Sequence, residues 1–139
     1  MKDSKKITAA IIALIIVAFS FPSMAGTGHE LTLSATKDHP AAKGKAFINN
    51  GNMSIQASGL KANSVYTVWF VNMKPKKHEA GAGSAPYMFE TDVNGFGQYS
   101  SAIAKSPFGK WQMIMIVLHP NGDPTDMKNM VGALKAKLA

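Results

Sequence analysis

The sequence predicts an all-β fold, an immunoglobulin-like antiparallel β-sandwich of about seven strands with one C-terminal amphipathic helix. Turn-forming clusters recur at short intervals between runs of strand character, which is the spacing of a sandwich. Two of those runs, residues 65–73 and 111–118, are apolar at both parities, as central strands covered on both faces are. The segment from Met127 to Leu138 changes its apolar period from 2 to 3.6, the mark of a helix with one buried stripe.

Taken in order, Leu31, Leu33 and Ala35 alternate with polar neighbours and give a strand over 30–36 with one buried face. Residues 45–48 lead into Asn49-Asn50-Gly51-Asn52, a hairpin turn that needs positive φ, and Met53, Ile55 and Ala57 return as the next strand. The runs 65–73 and 111–118 have no polar face, so they form the centre of the sandwich or lie beneath a helix, away from water. Residues 87–93 and 98–104 flank Asn94-Gly95-Phe96-Gly97 and should pair as a hairpin. Asp123 then reads as a helix N-cap, Pro124 as the first helical residue and Asp126 as an acid favoured by the helix dipole. Met127, Met130, Val131, Leu134 and Leu138 fall on one stripe of a helix over about 124–138 that packs on the sandwich, or else on a partner or membrane surface.

The first 25 residues form a separate unit. Lys2, Lys5 and Lys6 precede an uncharged stretch from Ile7 to Phe21, and Pro22-Ser23-Met24-Ala25 supplies small residues for cleavage before Gly26. This is a secretory signal peptide, its apolar part shorter than the ~20 residues of a spanning helix. The expected organisation is therefore a cleaved leader over 1–25 and a single domain over 26–139. Export puts that domain in the periplasm or outside the cell, with no stable membrane span after cleavage.

All 15 cationic side chains are lysines, and loss of the leader leaves 12 of them against 7 acids, a net +5. Without guanidinium groups the chain lacks the bidentate contacts to phosphate and guanine that arginine supplies, which argues against a nucleic-acid partner. The absence of cysteine excludes disulfides, thiolate metal sites and cysteine nucleophiles.

Three features carry candidate chemistry. Lys74-Pro75-Lys76-Lys77-His78-Glu79 and the following residues to Pro86 make the longest stretch without periodicity. Loops of that length are often binding elements, or else solvated connections, and Lys74, Lys76, Lys77 and His78 would favour an anionic ligand. At the exit of the second central strand, His119 and Asp123 bracket Pro-Asn-Gly and a helix start. That arrangement suits a small anion or a general base, and equally an ordinary turn. Seven methionines survive removal of the leader, and thioethers with imidazoles are the ligands that soft Cu(I) prefers. Met113, Met115 and His119 share parity on one strand and are the candidate copper ligands, set against methionine's usual role as core filler. Met53, Met127 and Met130 read as core-facing. Asp92-x-Asn94-Gly95 lacks the later ligands of a calcium loop and reads as a turn. No serine–histidine–acid constellation can be placed and few acids remain for paired-carboxylate work, so an enzyme is the weaker class.

From Met53 to about Leu134 the order Ser58-Gly59-Leu60, then Tyr66-Thr67-Val68-Trp69-Phe70, then Phe89-Glu90-Thr91-Asp92 with Asn94-Gly95, then Ile116 through Pro124 resembles the extracytoplasmic β-sandwich domain of anti-sigma-K-type proteins. The resemblance covers some 80 residues and implies the sandwich fold, with Tyr66 and Trp69 as core aromatics and no catalytic residue. His119 stands where that family usually has glutamate, and the C-terminal helix expected here replaces its final strand. The family's membrane helix and sigma-binding domain have no counterpart in this chain, so sigma regulation is not implied.

These readings converge on an exported, non-enzymatic binding or interaction module of the bacterial cell envelope. Its partner is a protein or a small anionic ligand, it needs no cofactor, and its surface joins the 74–86 loop to the 119–123 exit. A periplasmic Met/His copper-binding protein is the alternative, and a small hydrolase comes third.

Overall fold

The computed structural model describes residues 28–138, so the expected leader lies outside the described residues. Alternation builds the first three strands, β1 (Gly28–Ala35), β2 (Lys43–Asn49) and β3 (Asn52–Ser58). Ala46, Ile48, Met53, Ile55 and Ala57 are buried, whereas Lys45, Phe47, Ser54 and Gln56 between them are half-buried, because successive side chains of a strand point to opposite faces. Asn49 pairs with Asn52 across the expected two-residue turn, with Gly51 at φ 99°.

The two doubly apolar runs form β4 (Val65–Asn72) and β8 (Met113–His119), paired antiparallel from Val65 opposite His119 to Val71 opposite Met113. One parity, Tyr66, Val68 and Phe70 against Leu118, Ile116 and Ile114, enters the core. β5 (His78–Gly81) and β6 (Met88–Glu90) share the other edge of β4, β7 (Gly97–Ala102) lies on β3, and β9 (Val131–Lys137) lies on β8. The strand order is β5-β4-β8-β9-β1-β2-β3-β7 with every pair antiparallel.

The sheet curls because β1 serves both halves. Gly28–Leu33 pair with β2, while Ser34 and Ala35 pair with β9. Its two ends meet where the Tyr99 hydroxyl on β7 donates to the Ala82 carbonyl and the Ser84 N–H donates to Ser101 Oγ. Tyr66, Phe89 and Tyr99 carry the contact across the interior, with ring centroids 5.6 and 6.3 Å apart. Burial raises the pKa of both tyrosines.

Three expectations are corrected. The helix over 124–138 does not form, and no helix occurs among the described residues. Residues 120–130 turn instead, with Asp123 accepting from the Thr125 N–H and Asp126 from the Lys128 N–H, and the chain then runs as β9. β4 satisfies only one edge of β8, and an unpaired row of backbone donors and acceptors outweighs helix-propensity differences of roughly a few tenths of a kcal/mol per residue. A bulge between Ile116 and Val117 lets Ala133 and Leu134 both be buried, after which Ala136 and Leu138 alternate with exposed Lys135 and Lys137. Met127 is therefore 41 % exposed and Met130 half-buried, while Met53 is in the core as expected. Second, the flanks of Asn94-Gly95 do not pair with each other; β6 belongs to β4 and β7 to β3, so the turn links the two halves of the sheet. Third, the 74–86 segment is partly a strand, because β4 offers an edge on which His78–Gly81 pair with Trp69–Asn72.

Candidate functional site

The second parity of β4 and β8 faces away from the core and is also apolar. Thr67 lies opposite Val117, Trp69 opposite Met115 and Val71 opposite Met113. The solvent-side face of a curled antiparallel sheet is ordinarily polar. Here no helix covers it among the described residues; Val71, Val117 and His119 are buried on it all the same, whereas Trp69, Met113 and Met115 remain part-exposed and Met73 is 51 % exposed. A groove of about 270 Å³ opens on this face, floored by Trp69, Val71, Met115, Val117 and Gly132. Met73, Lys77, Glu79 and Met130 line its margins. The floor stays open at Gly132, where an added Cβ would make only ordinary contacts, 3.6 Å to Thr36 Cγ2 and 3.7 Å to Met115 Cε.

Polar groups beneath the face hold its aromatic side chain. The Trp69 indole N–H donates to Thr67 Oγ1 at 2.7 Å, and the same oxygen pairs with His119 Nε2 at 2.7 Å. Thr67 is 0 % and His119 1 % exposed, and His119 Nδ1 has no hydrogen-bonding partner among the described residues. Tyr87 buttresses Trp69 from the side, ring centroids 5.4 Å apart, from a backbone φ of 65°. That left-handed conformation costs a non-glycine residue about 1–2 kcal/mol. Gly81, paired with Trp69, is what admits the Tyr87 ring, since any Cβ there would overlap it.

At one end of the groove the lysine turn is fixed in place. Gln112 Oε1 accepts from the Met73 N–H at 2.7 Å and the Lys74 N–H at 3.2 Å, and Gln112 Nε2 donates to the Lys74 carbonyl at 2.9 Å. Asn72 Oδ1 accepts in turn from the Gln112 N–H. Beside it the His78 ring lies 5.4 Å from that of Trp111, with Lys110 Nζ 6.0 Å from the Trp111 ring centroid. Lys74, Lys76, Lys77 and His78 are all exposed on this turn, as an anion-binding element requires.

The candidate residues do not converge on one surface in the way expected. His78 pairs with Asn72 and His119 with Val65, so the lysine turn and the 119–123 exit sit at opposite ends of β4, about 23 Å apart at strand rise. His119 is buried against Thr67, while Asp123 is exposed, its carboxyl held below the usual carboxylate range chiefly by the Thr125 hydroxyl and N–H. Met113, Met115 and His119 do share a face. About 13 Å of strand separates Met115 from His119, whose Nε2 is taken by Thr67, so the three are not gathered around one point. Among the described residues no group of three His, Asp or Glu side chains is placed to hold a metal ion.

Trp69, expected in the core with Tyr66, is on the outer face instead, whereas Tyr66 is fully buried. Thr67, Tyr87, Met130 and Gly132 were not singled out as site residues. The apolar second parity of both central strands is the available signal, and in the sequence it predicts strands covered on both faces. Comparison with protein-family models, curated proteins and solved structures gave no match.

Proposed function

We propose that this chain is an exported, non-enzymatic binding module of the bacterial cell envelope, acting in the periplasm or outside the cell. The observation that carries the reading is the part-exposed apolar groove on the outer face of β4 and β8, floored by Trp69 and Met115 and continuing into the lysine turn through Met73 and Lys77. Contiguous exposed apolar surface rimmed by polar groups marks interaction sites, and methionine gives such surfaces the adaptability to repack around a partner. A Trp69 pinned by a part-buried hydrogen bond and braced by Tyr87 loses little freedom on binding, which favours affinity.

The fold reading that accompanies this function is an immunoglobulin-like sandwich of two halves, β1-β2-β3-β7 and β5/β6-β4-β8-β9. The sharing of β1 between the halves and the common core support it. The resemblance to anti-sigma-K-type extracytoplasmic domains is likewise a proposal about fold alone.

Two measurements test the function. Intact mass of the protein recovered from the envelope fraction should start at Gly26, and an uncleaved cytoplasmic product contradicts export. Met115→Glu on the groove floor should abolish capture of whatever partner the wild type retains, while Ser100→Glu on exposed β7 should leave it. Equal capture by both variants contradicts the assignment of this face.

A further inference from the structure

Resting on that reading, we infer that the groove receives an amphipathic helix of a partner protein, with an apolar stripe directed at Trp69 and Met115 and acidic residues along both of its flanks. The two margins of the face carry lysines. On the β9 side Lys135 is in register with Met115 and Lys137 with Met113; on the β5 side lies Lys77, with Lys74 and Lys76 preceding it on the pinned turn. Glu79 is the one acid lining the groove.

Width decides between occupants. From β5 across β4 and β8 to β9 there are three strand intervals, about 14 Å at ~4.8 Å each. A helix with its side chains is about 10–12 Å across, so one lying along the strands brings both flanks within reach of both lysine margins. A single acyl chain is far narrower and would leave one margin unengaged. Length agrees. From Val71 to the row of Val117 the groove floor runs about 13 Å, and Met73 and Met130 extend it at either end, room for two to three helical turns of about 5.4 Å. The mature net charge of +5 steers an acidic partner to the protein.

The test uses the full chain and a form beginning at Gly26, which retains every described residue. The probes are a synthetic 15-residue helical peptide with leucines at i, i+3, i+4 and i+7 and glutamates on the flanks, the same peptide with lysine flanks, and dodecanoate below its micelle concentration. Calorimetry should show the Glu-flanked peptide binding at least about tenfold more tightly than the Lys-flanked one, a difference that shrinks with added salt. Lys135→Glu, an exposed change, should weaken the Glu-flanked peptide about tenfold, and Gly132→Leu, which fills the open floor, by as much or more. Equal binding of the two peptides overturns the inference. Dodecanoate binding that Gly132→Leu abolishes, with neither peptide bound, overturns the helical occupant and leaves the groove as the binding surface. No binding by any probe, with tryptophan fluorescence unmoved, overturns both.

Discussion

Replacing Thr67 with valine tests whether the outer face is built on its hydroxyl. The change preserves shape and exchanges one oxygen for a methyl group, but it removes the shared partner of Trp69 Nε1 and His119 Nε2, each 2.7 Å away. His119 is 1 % exposed, so its nitrogen cannot recover a bond from water, and an orphaned buried polar atom costs about 1–3 kcal/mol. Trp69 is part-exposed and loses only the net value of one bond, about 0.5–1 kcal/mol. The added apolar methyl returns about 0.8 kcal/mol. The balance is a loss of about 2 kcal/mol, which at a urea m-value near 2 kcal/mol/M lowers the unfolding midpoint by about 1 M. Thr67→Ser, which keeps the hydroxyl and deletes a methyl, should cost only about 1 kcal/mol. A valine variant as stable as the wild type, or more stable than the serine variant, refutes the role given to the hydroxyl.

Three further outcomes follow from particular residues. Leu134 on β9 is fully buried, so Leu134→Ala should destabilise by about 2–5 kcal/mol in urea unfolding, and a loss below 1 kcal/mol would mean β9 is not packed on the core. Asp126 has its pKa lowered to about 2, chiefly by the Asn129 side-chain amide and the Lys128 N–H. A depressed folded-state pKa stabilises above the unfolded value near 3.9 and is lost as pH falls toward 2. Asp126→Asn should therefore flatten the stability profile between pH 4 and 2, and a carboxyl carbon titrating near 4 in the wild type contradicts that. Gln112→Ala removes the clamp on the lysine turn, so amide exchange at Met73 and Lys74 should accelerate about tenfold while the exchange of buried β8 amides is unchanged.

What the sequence discloses of this fold depends on whether a strand's own residues specify it or a neighbour's edge does. β2 and β3 are legible because Ala46, Ile48, Met53 and Ile55 alternate with polar residues around an Asn-Gly turn. β4 and β8 are legible as central because both parities are apolar. β9 was hidden because Leu134-Lys135-Ala136-Lys137-Leu138 alternates perfectly well while its alanine, leucine and lysine favour a helix, and only the free edge of β8 decides between them. β5 was hidden for a similar reason: His78-Glu79-Ala80-Gly81 has no strand pattern, and its pairing is imposed by Trp69–Asn72. The site divides in the same way. Lys74, Lys76, Lys77 and His78 stand out by composition, yet the groove beside them is made of residues that look like core, and nothing in their identity says that no further layer among the described residues covers the outer face.

The most direct test of the groove as the working surface is a methyl NMR titration of protein labelled at the methionine methyl groups with the Glu-flanked peptide. Met73, Met115 and Met130 line the groove, whereas Met53 is sealed in the core on the other side of the sheet. Saturable shifts at Met73, Met115 and Met130, with Met53 and exposed Met127 unmoved, are the result this account predicts. Shifts confined to Met127, or saturation with no change at Met115, would contradict it.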